Sequence, residues 1–310
     1  VQAAPILVVG SVALDDIKTP FGEAKGVLGG SATYFALAAR FFAPVRLVAV
    51  VGTDFPAAHR ALLEQRGVDM RGLEVASGPC FRWGGEYGFD LNARTTLFTH
   101  LNVFERFHPK VPDAFRRSPF VFLGNIHPAL QEEVLQQIES PRLVGLDTMN
   151  LWIDSARADL LRVLRSVQLL ILNDSEAREL AGEANLVRAG RRLLQLGPEF
   201  VVIKKGEHGA LMLHGESAFV SAALPLEEVF DPTGAGDAFA GGVIGSLAAS
   251  GEVTNAAMRR AIAYGTVVAS ATVERFGVDG LVGLDAAEID TRTQQLRHLT
   301  HFDTSDVLAP

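Results

Sequence analysis

Short apolar runs recur along the chain between segments of helical period, and this alternation restricts the fold more than any other feature. Pro5 to Gly10, Arg46 to Val51, Phe120 to Leu123, Arg142 to Leu146, Gln168 to Leu172 and Phe200 to Ile203 are rich in Val, Ile, Leu and Phe. Runs of that kind read as strands covered on both faces. Between them, Ala57 to Gln65, Leu130 to Ile138, Ala156 to Leu164 and Leu186 to Leu196 carry apolar residues at helical spacing. The alternation predicts right-handed βαβ units and a parallel sheet, an α/β fold. From about Gly234 onward the chain reads as helical, over Gly234 to Ser250, Asn255 to Ala269 and Asp285 to His298. Two stretches break the pattern. Asp16 to Leu28 is short and contains Pro and Gly, and Pro79 to Phe104 is aromatic and β-branched with Gly84, Gly85 and Gly88 as punctuation. Both read as antiparallel strands standing outside the main sheet.

A length of 310 residues suits one large domain with a small appendage. Hydrophobic residues at 48% against 21% charged exclude a disordered chain. The net charge of −8, with no basic run, argues against nucleic acid or an anionic membrane surface as partner, because either needs a cationic face. Cys80 stands alone, so no intrachain disulfide framework is available and a cytoplasmic location is expected. The stretch VQAAPILVVG has no basic segment ahead of its apolar residues and reads as the lead-in to a first strand, not as a signal peptide. Gly234 to Gly251 is built mainly of Gly, Ala and Ser around Asp237, too weakly apolar for a membrane span. The chain has neither Gly-x-x-x-x-Gly-Lys-Ser/Thr nor a Gly-x-Gly-x-x-Gly after its first strand, which removes P-loop kinases and Rossmann dehydrogenases. His100, His108, His127 and His208 are too scattered to suggest a zinc site.

The strongest local feature is DPTGAGDAFAGG, Asp231 to Gly242. Pro232 stops the preceding segment, and Thr233 is a suitable helix N-cap. Gly234 and Gly236 allow successive N–H groups to converge at the positive end of a helix, a cradle for an anion. Asp237, in the first turn, is expected to stay ionised there and to accept a proton from a hydroxyl attacking a phosphorus atom held by the loop. Such a reaction needs the cradle and the base together. An acidic first turn that merely caps a helix, with Gly241, Gly242 and Gly245 serving close packing, fits the same letters.

The string resembles the C-terminal signature of the PfkB, ribokinase-like family of small-molecule kinases, D-T-x-G-A-G-D before a small-residue helix, with Pro232 where Thr is usual. The resemblance assigns the anion hole to Gly234, Ala235 and Gly236 and the general base to Asp237. Gly29-Gly30-Ser31-Ala32-Thr33-Tyr34 resembles the family's N-terminal Gly-Gly signature, with Tyr34 where many members have Asn. Asp15, five residues after Gly10, matches the Asp that binds acceptor hydroxyls, and Asp16 is its solvated neighbour. Asn173-Asp174-Ser175-Glu176 resembles the Asn-x-x-Glu motif that organises Mg²⁺ and phosphate, with Glu176 acting through water; the same residues would also serve as a helix cap. Lys204, Gly206 and Gly209 match the strand–turn beside the ATP phosphates and adenine, and Thr233 joins them on the nucleotide side. Asp147 and Asn150 resemble an Asp-x-Asn of unassigned role, while Arg82, Arg94 and Asn125 are either substrate contacts or structural residues.

The resemblance, running from about Val8 to Gly277, implies a ribokinase-like three-layer α/β/α sandwich with a small β lid. It implies a single domain over 1–310, with lid segments at about 16–28 and 79–104. The implied activity is ATP-dependent phosphorylation of a hydroxyl, such as a hydroxymethyl group, of a sugar or related polyol, with ATP and Mg²⁺ as cofactors. A nucleoside kinase, a sugar-phosphate kinase and a non-catalytic sugar-binding regulator are the alternatives; an intact Asp237 together with Gly234 and Gly236 weighs against the last. The aromatics of Pro79 to Phe104 need a surface to pack on, whether the substrate pocket, the main domain or a second subunit, and the resemblance implies a homodimer joined through the lid. Tyr34 is expected to add a ring face to the acceptor pocket.

Overall fold

Side chains at successive strand positions enter two different cores, which is why the apolar runs do not alternate. The structure, a computed structural model, describes residues 3–301, so Val1, Gln2 and the end of the expected 1–310 unit lie outside the described residues. In chain order the strands are β1 (Ile6–Val9), β2 (Ala13–Thr19), β3 (Gly22–Gly29), β4 (Val45–Gly52), β5 (Val68–Ala76), β6 (Arg82–Tyr87), β7 (Arg94–His100), β8 (Phe120–Leu123), β9 (Leu143–Asp147), β10 (Leu169–Asn173), β11 (Phe200–Lys204), β12 (Ala210–His214) and β13 (Ser217–Ser221). The helices are α1 (Ser31–Ala39), α2 (Ala57–Gln65), α3 (Pro128–Leu135), α4 (Asn150–Ser155), α5 (Arg157–Leu164), α6 (Asp174–Ala181), α7 (Leu186–Leu194), α8 (Ala235–Ser250), α9 (Asn255–Val273), α10 (Asp279–Gly283) and α11 (Ala286–Thr300).

The main sheet runs β13-β12-β11-β10-β9-β8-β1-β4-β5. Its pairs from β11 to β5 are parallel, and β12 and β13 add an antiparallel edge. Ile6 and Val8 of β1 pack with Phe35 of α1, Val243 of α8 and Ile262 of α9. Leu7 and Val9 pack on the opposite side with Val134 of α3, Leu160 of α5 and Leu193 of α7. The result is the three-layer α/β/α arrangement. All six apolar runs lie in the parallel part. The sequence reading missed β5, β12 and β13. β5 and β13 are edge strands whose side chains are partly exposed, and β12 (ALMLH) is buried but carries no β-branched residue. Of the helices, the expected Ala156 to Leu164 divides from α4 at Ala156, and α3 starts two residues early because Pro128 takes its first turn.

A second sheet, β3-β2-β6-β7, corresponds to the two lid segments. Each segment is an antiparallel hairpin, but the hairpins join through a parallel β2–β6 pairing, which the expectation of antiparallel strands did not include. In the main sheet the chain leaves β1 toward β4 and β5, then returns to β8 and proceeds toward β11. The carboxyl ends of β1 and β8 therefore border a topological switch point, where ligands of open α/β sheets bind. The start of α1 is anchored there: the Ser31 amide donates to Ser11 Oγ at 3.0 Å.

Candidate active site

The loop before α8 is fixed by a buried carboxylate. Asp231 accepts from the Thr233 amide through Oδ1 and from the Gly277 amide through Oδ2, both at 2.8 Å, tying the loop to the segment after α9. Burial raises the Asp231 pKa against the pull of these donors. Thr233 is not the N-cap. That position belongs to Gly234, in the left-handed conformation at φ 75°, which Gly adopts without steric cost. The Thr233 hydroxyl instead donates to the Tyr87 phenol at 3.0 Å. The amides of Gly236 and Asp237, in the first turn of α8, have no intrahelical carbonyl to bond and are available to an anion.

Charged groups from four elements converge on this turn. Lys204 at the end of β11 lies against it, since a methyl on Gly236 would stand 2.9 Å from Lys204 Nζ. Lys204 Nζ is 3.3 Å from Asp147 Oδ2 at the end of β9, with both side chains largely buried. Burial opposes the lysine charge, but Asp147, Glu176 and Asp237 together outweigh it and raise the Lys204 pKa. Burial first, and then Asp147, push Asp237 up to about 7, against the fields of Lys204 and Arg94. Desolvation of the carboxylate thus works against the ionised form that the start of a helix favours.

Asn173 and Glu176 form the capping box that the sequence also allowed. The Glu176 amide donates to Asn173 Oδ1 at 2.8 Å, and the Asn173 amide donates to Glu176 Oε2 at 2.7 Å. Glu176 is buried, and burial followed by Asp147 raises its pKa to about 7. The box uses Oε2 and leaves the other carboxylate oxygen without a protein donor among the described residues.

Asp15 belongs to β2 of the lid sheet, beyond the end of β1. Its carboxylate lies over Gly29, where a methyl would collide with it, so the Gly29-Gly30 pair permits this approach. Burial pushes Asp15 up to about 8, with the Gly30 amide opposing and Asp231 and Asp237 adding to the shift. Asp16 faces the other way and accepts from the Gly26 amide at 2.7 Å. Tyr34 is fully buried, its ring against Gly234 and its hydroxyl without a hydrogen-bond partner among the described residues. Burial, then Asp15 and Asp231, hold its pKa well above the ordinary tyrosine value. Its face is spent on the glycine loop, so the expected stacking surface does not come from Tyr34. Trp83 offers one instead. It pairs in register with Asp15, and its indole lies along the strand over Gly85, with the Arg94 guanidinium 5.3 Å from the ring centroid.

The remaining candidates divide. A methyl on Gly206 would stand 2.9 Å from Asn92 Oδ1 in the β6–β7 turn, so the lid tip reaches the loop after β11. Gly209 answers to a local need, because any side chain there would strike the Ser221 carbonyl. Asn125 accepts from Trp152 Nε1 at 2.9 Å, Arg82 lies 3.6 Å from Asp54, and Asn150 bonds Glu179; none of these contacts includes the residues around α8. Sequence reasoning left Asp147 and Arg94 unassigned and did not single out Tyr87 as a contact of the glycine loop before α8. Asp147 had a signal, an acidic residue closing a buried strand, whereas nothing in the lid's local sequence points toward Thr233.

The profile of the pfkB family carbohydrate kinases matches residues 12–282. A cytidine kinase of Thermococcus kodakarensis is 29% identical over 245 residues, covering 77% of this chain and 87% of the relative. A bifunctional protein HldE of Pseudomonas savastanoi pv. phaseolicola is 26% identical over 301 residues, and the match spans 86% of this chain but only 60% of that longer protein. A crystal structure of a putative Ribokinase II from E. coli, in complex with ATP and Mg²⁺, superposes with a TM-score of 0.77 at 20% identity, covering 94% of this chain and 99% of that one. With the family profile matching most of the chain and the fold in agreement, the protein belongs to the pfkB family of carbohydrate kinases and is a kinase.

Proposed function

We propose that this kinase transfers the γ-phosphoryl group of ATP to a hydroxymethyl oxygen of a sugar or nucleoside, with Asp237 as general base and Gly234, Ala235 and Gly236 as the anion hole. The observation that carries the proposal is the placement of Asp237 and Lys204 about the same first turn of α8. The acceptor hydroxyl, held by Asp15, gives its proton to Asp237 as its oxygen bonds to the γ-phosphorus. The bond from that phosphorus to the β,γ-bridging oxygen breaks, and ADP leaves. The free amides of the turn and the Lys204 ammonium receive the charge that develops on the transferring oxygens. Lys204, Thr233 and the Gly206 loop form the nucleotide side, and the relative solved with ATP supports that nucleotide.

Among the described residues no cluster of three acidic, His or Cys side chains could hold a metal ion. The free oxygen of Glu176 fits an ion carried mainly by phosphates and water, which is how magnesium binds in such sites. When bound with the nucleotide, magnesium screens the triphosphate. Removal by chelator is expected to abolish turnover.

A nucleoside acceptor is favoured over a simple sugar by the half-buried Trp83 indole above the acceptor side and by the similarity to a cytidine kinase. The deciding experiment is a coupled ADP-release assay over sugars, inositols, nucleosides and sugar phosphates. Acceptor-dependent ADP release supports the proposal, and its absence with every acceptor rejects it. On the lid, β7 is an edge strand with Leu97 exposed, and Phe89 projects from the neighbouring turn. A second copy of the chain is the occupant that the paired-lid reading requires, and the mass in solution tests it.

A further inference from the structure

The carboxyl ends of β8 and β9 are joined by a side chain from outside the proposed chemistry. The parallel pairing of the two strands ends at Leu123 and Leu146. One residue further along, Gln131 of α3 adds a rung: its Nε2 donates to the Gly124 carbonyl at 2.9 Å and to the Asp147 carbonyl at 3.2 Å. Gln131 is 1% exposed and comes from the helical layer opposite α8. With Nε2 committed to these carbonyls, Oε1 is left buried without a partner among the described residues. A buried acceptor without a donor is costly, and an apolar side chain would fill the same space without that cost. The amide therefore answers to the two carbonyls it holds.

Those carbonyls belong to different parts of the cleft. Gly124 abuts the start of α1, where a methyl on it would stand 3.0 Å from Ser31 Oγ, next to the Gly29-Gly30 pair under the Asp15 carboxylate. Asp147 belongs to the phosphate side. Its backbone pairs with Ile171 of β10 on one edge and meets Gln131 on the other, so it is held from both. The Thr148 amide donates to Asp147 Oδ1 at 2.9 Å, which leaves Oδ2 to face Lys204 Nζ at 3.3 Å. That ammonium lies against Gly236 in the first turn of α8.

We infer that Gln131 is a positioning residue for phosphoryl transfer: by bridging Gly124 and Asp147 it fixes the carboxylate that aims Lys204 at the first turn of α8. The inference rests on the kinase reading given above, in which Lys204 receives charge from the transferring oxygens. A charged group acts on a transition state only if its supports keep it from drifting, and a misplacement of about 1 Å is enough to slow transfer.

The test uses the full chain carrying Gln131→Met, which keeps the bulk and removes both bonds, Asp147→Ala, and the two together. Steady-state ADP release is followed with magnesium ATP and cytidine, or with the fastest acceptor of the panel where cytidine is slow. Gln131→Met should lower kcat ~10-fold or more while the acceptor KM stays within about twofold. In the Asp147→Ala background the rung remains but no carboxylate reaches Lys204, so the same change should alter kcat by less than about twofold. Val134→Ala, a cavity in the same helix, controls for lost stability and should keep kcat within about twofold. Should Gln131→Met fail to fold, Gln131→Asn keeps an amide too short to span both carbonyls, and the same pattern is expected. An unchanged kcat in the Gln131 variant, losses that multiply in the double variant, or an equal fall in Val134→Ala would overturn the assignment. A native protein that releases no ADP with any acceptor would overturn the kinase reading and this inference with it, a result distinct from the others.

Discussion

The Thr233 hydroxyl donates to the Tyr87 phenol at 3.0 Å across 146 residues of sequence, and this bond fastens the lid to the loop that opens α8. Both groups are buried, so neither can turn to water when the partner is lost. Tyr87→Phe leaves the Thr233 hydroxyl without its acceptor, at a cost of ~1–3 kcal/mol to the closed lid. The expected result is a fall in kcat/KM of about 5–20-fold and faster amide exchange in β6 and β7, with the main sheet unaltered. Hydrogen exchange resolved by segment checks this; uniform protection in the variant would show that the bond does not hold the lid.

Asp237→Asn keeps the size of the side chain and removes the proposed base. Turnover should drop ~10²–10⁴-fold while nucleotide binding and melting temperature change little. The base must be unprotonated, and Asp237 lies at about 7 before ligands bind. Acceptor kcat/KM should therefore rise with pH toward neutrality and level off above it. A flat profile from pH 5 to 8 would remove Asp237 from this role.

Asp15 gives the ligand-free protein a pH-dependent stability. Its pKa is raised from 3.8 in an exposed chain to about 8 in the fold. A carboxyl raised in this way favours the folded state most below the lower value, and that contribution disappears as pH rises through the upper one. Asp15→Asn should therefore melt progressively higher than the native protein between pH 6 and pH 9, by up to a few kcal/mol in ΔG, while losing acceptor binding. Thermal melts across that range decide the point. Parallel melting curves would show that the Asp15 charge costs the fold nothing.

Trp83→Ala separates the acceptor classes. If a nucleobase stacks on the indole, the variant loses ~1–3 kcal/mol of transition-state binding for nucleosides, and simple sugars are barely affected. Competition between a nucleoside and a sugar in one assay measures the ratio directly. An unchanged ratio would place the base elsewhere.

The layered α/β core was readable from the chain because strands covered on both faces must be apolar at every position, and Ile6 to Val9 or Phe120 to Leu123 carry that signature in consecutive letters. The glycine loop was readable for a similar reason, since its glycines and the acidic first turn at Asp237 are local backbone requirements met within a few residues, although the cap itself falls on Gly234 and not on Thr233. The edge strands β5 and β13 were not, since half-exposed strands have no obligatory pattern. Tertiary structure alone decided what surrounds the loop. Lys204 and Asp147 meet because β9 and β11 flank β10 and end on one side of the sheet, 57 residues apart in sequence. Asp15 lies in the lid sheet because β2 pairs with β3 and β6, and Tyr87 reaches Thr233 because the lid hairpin folds back over the loop before α8. A strand, cap or turn is set by interactions between near neighbours, whereas a charge cluster depends on how distant strand ends and a folded-over hairpin pack together.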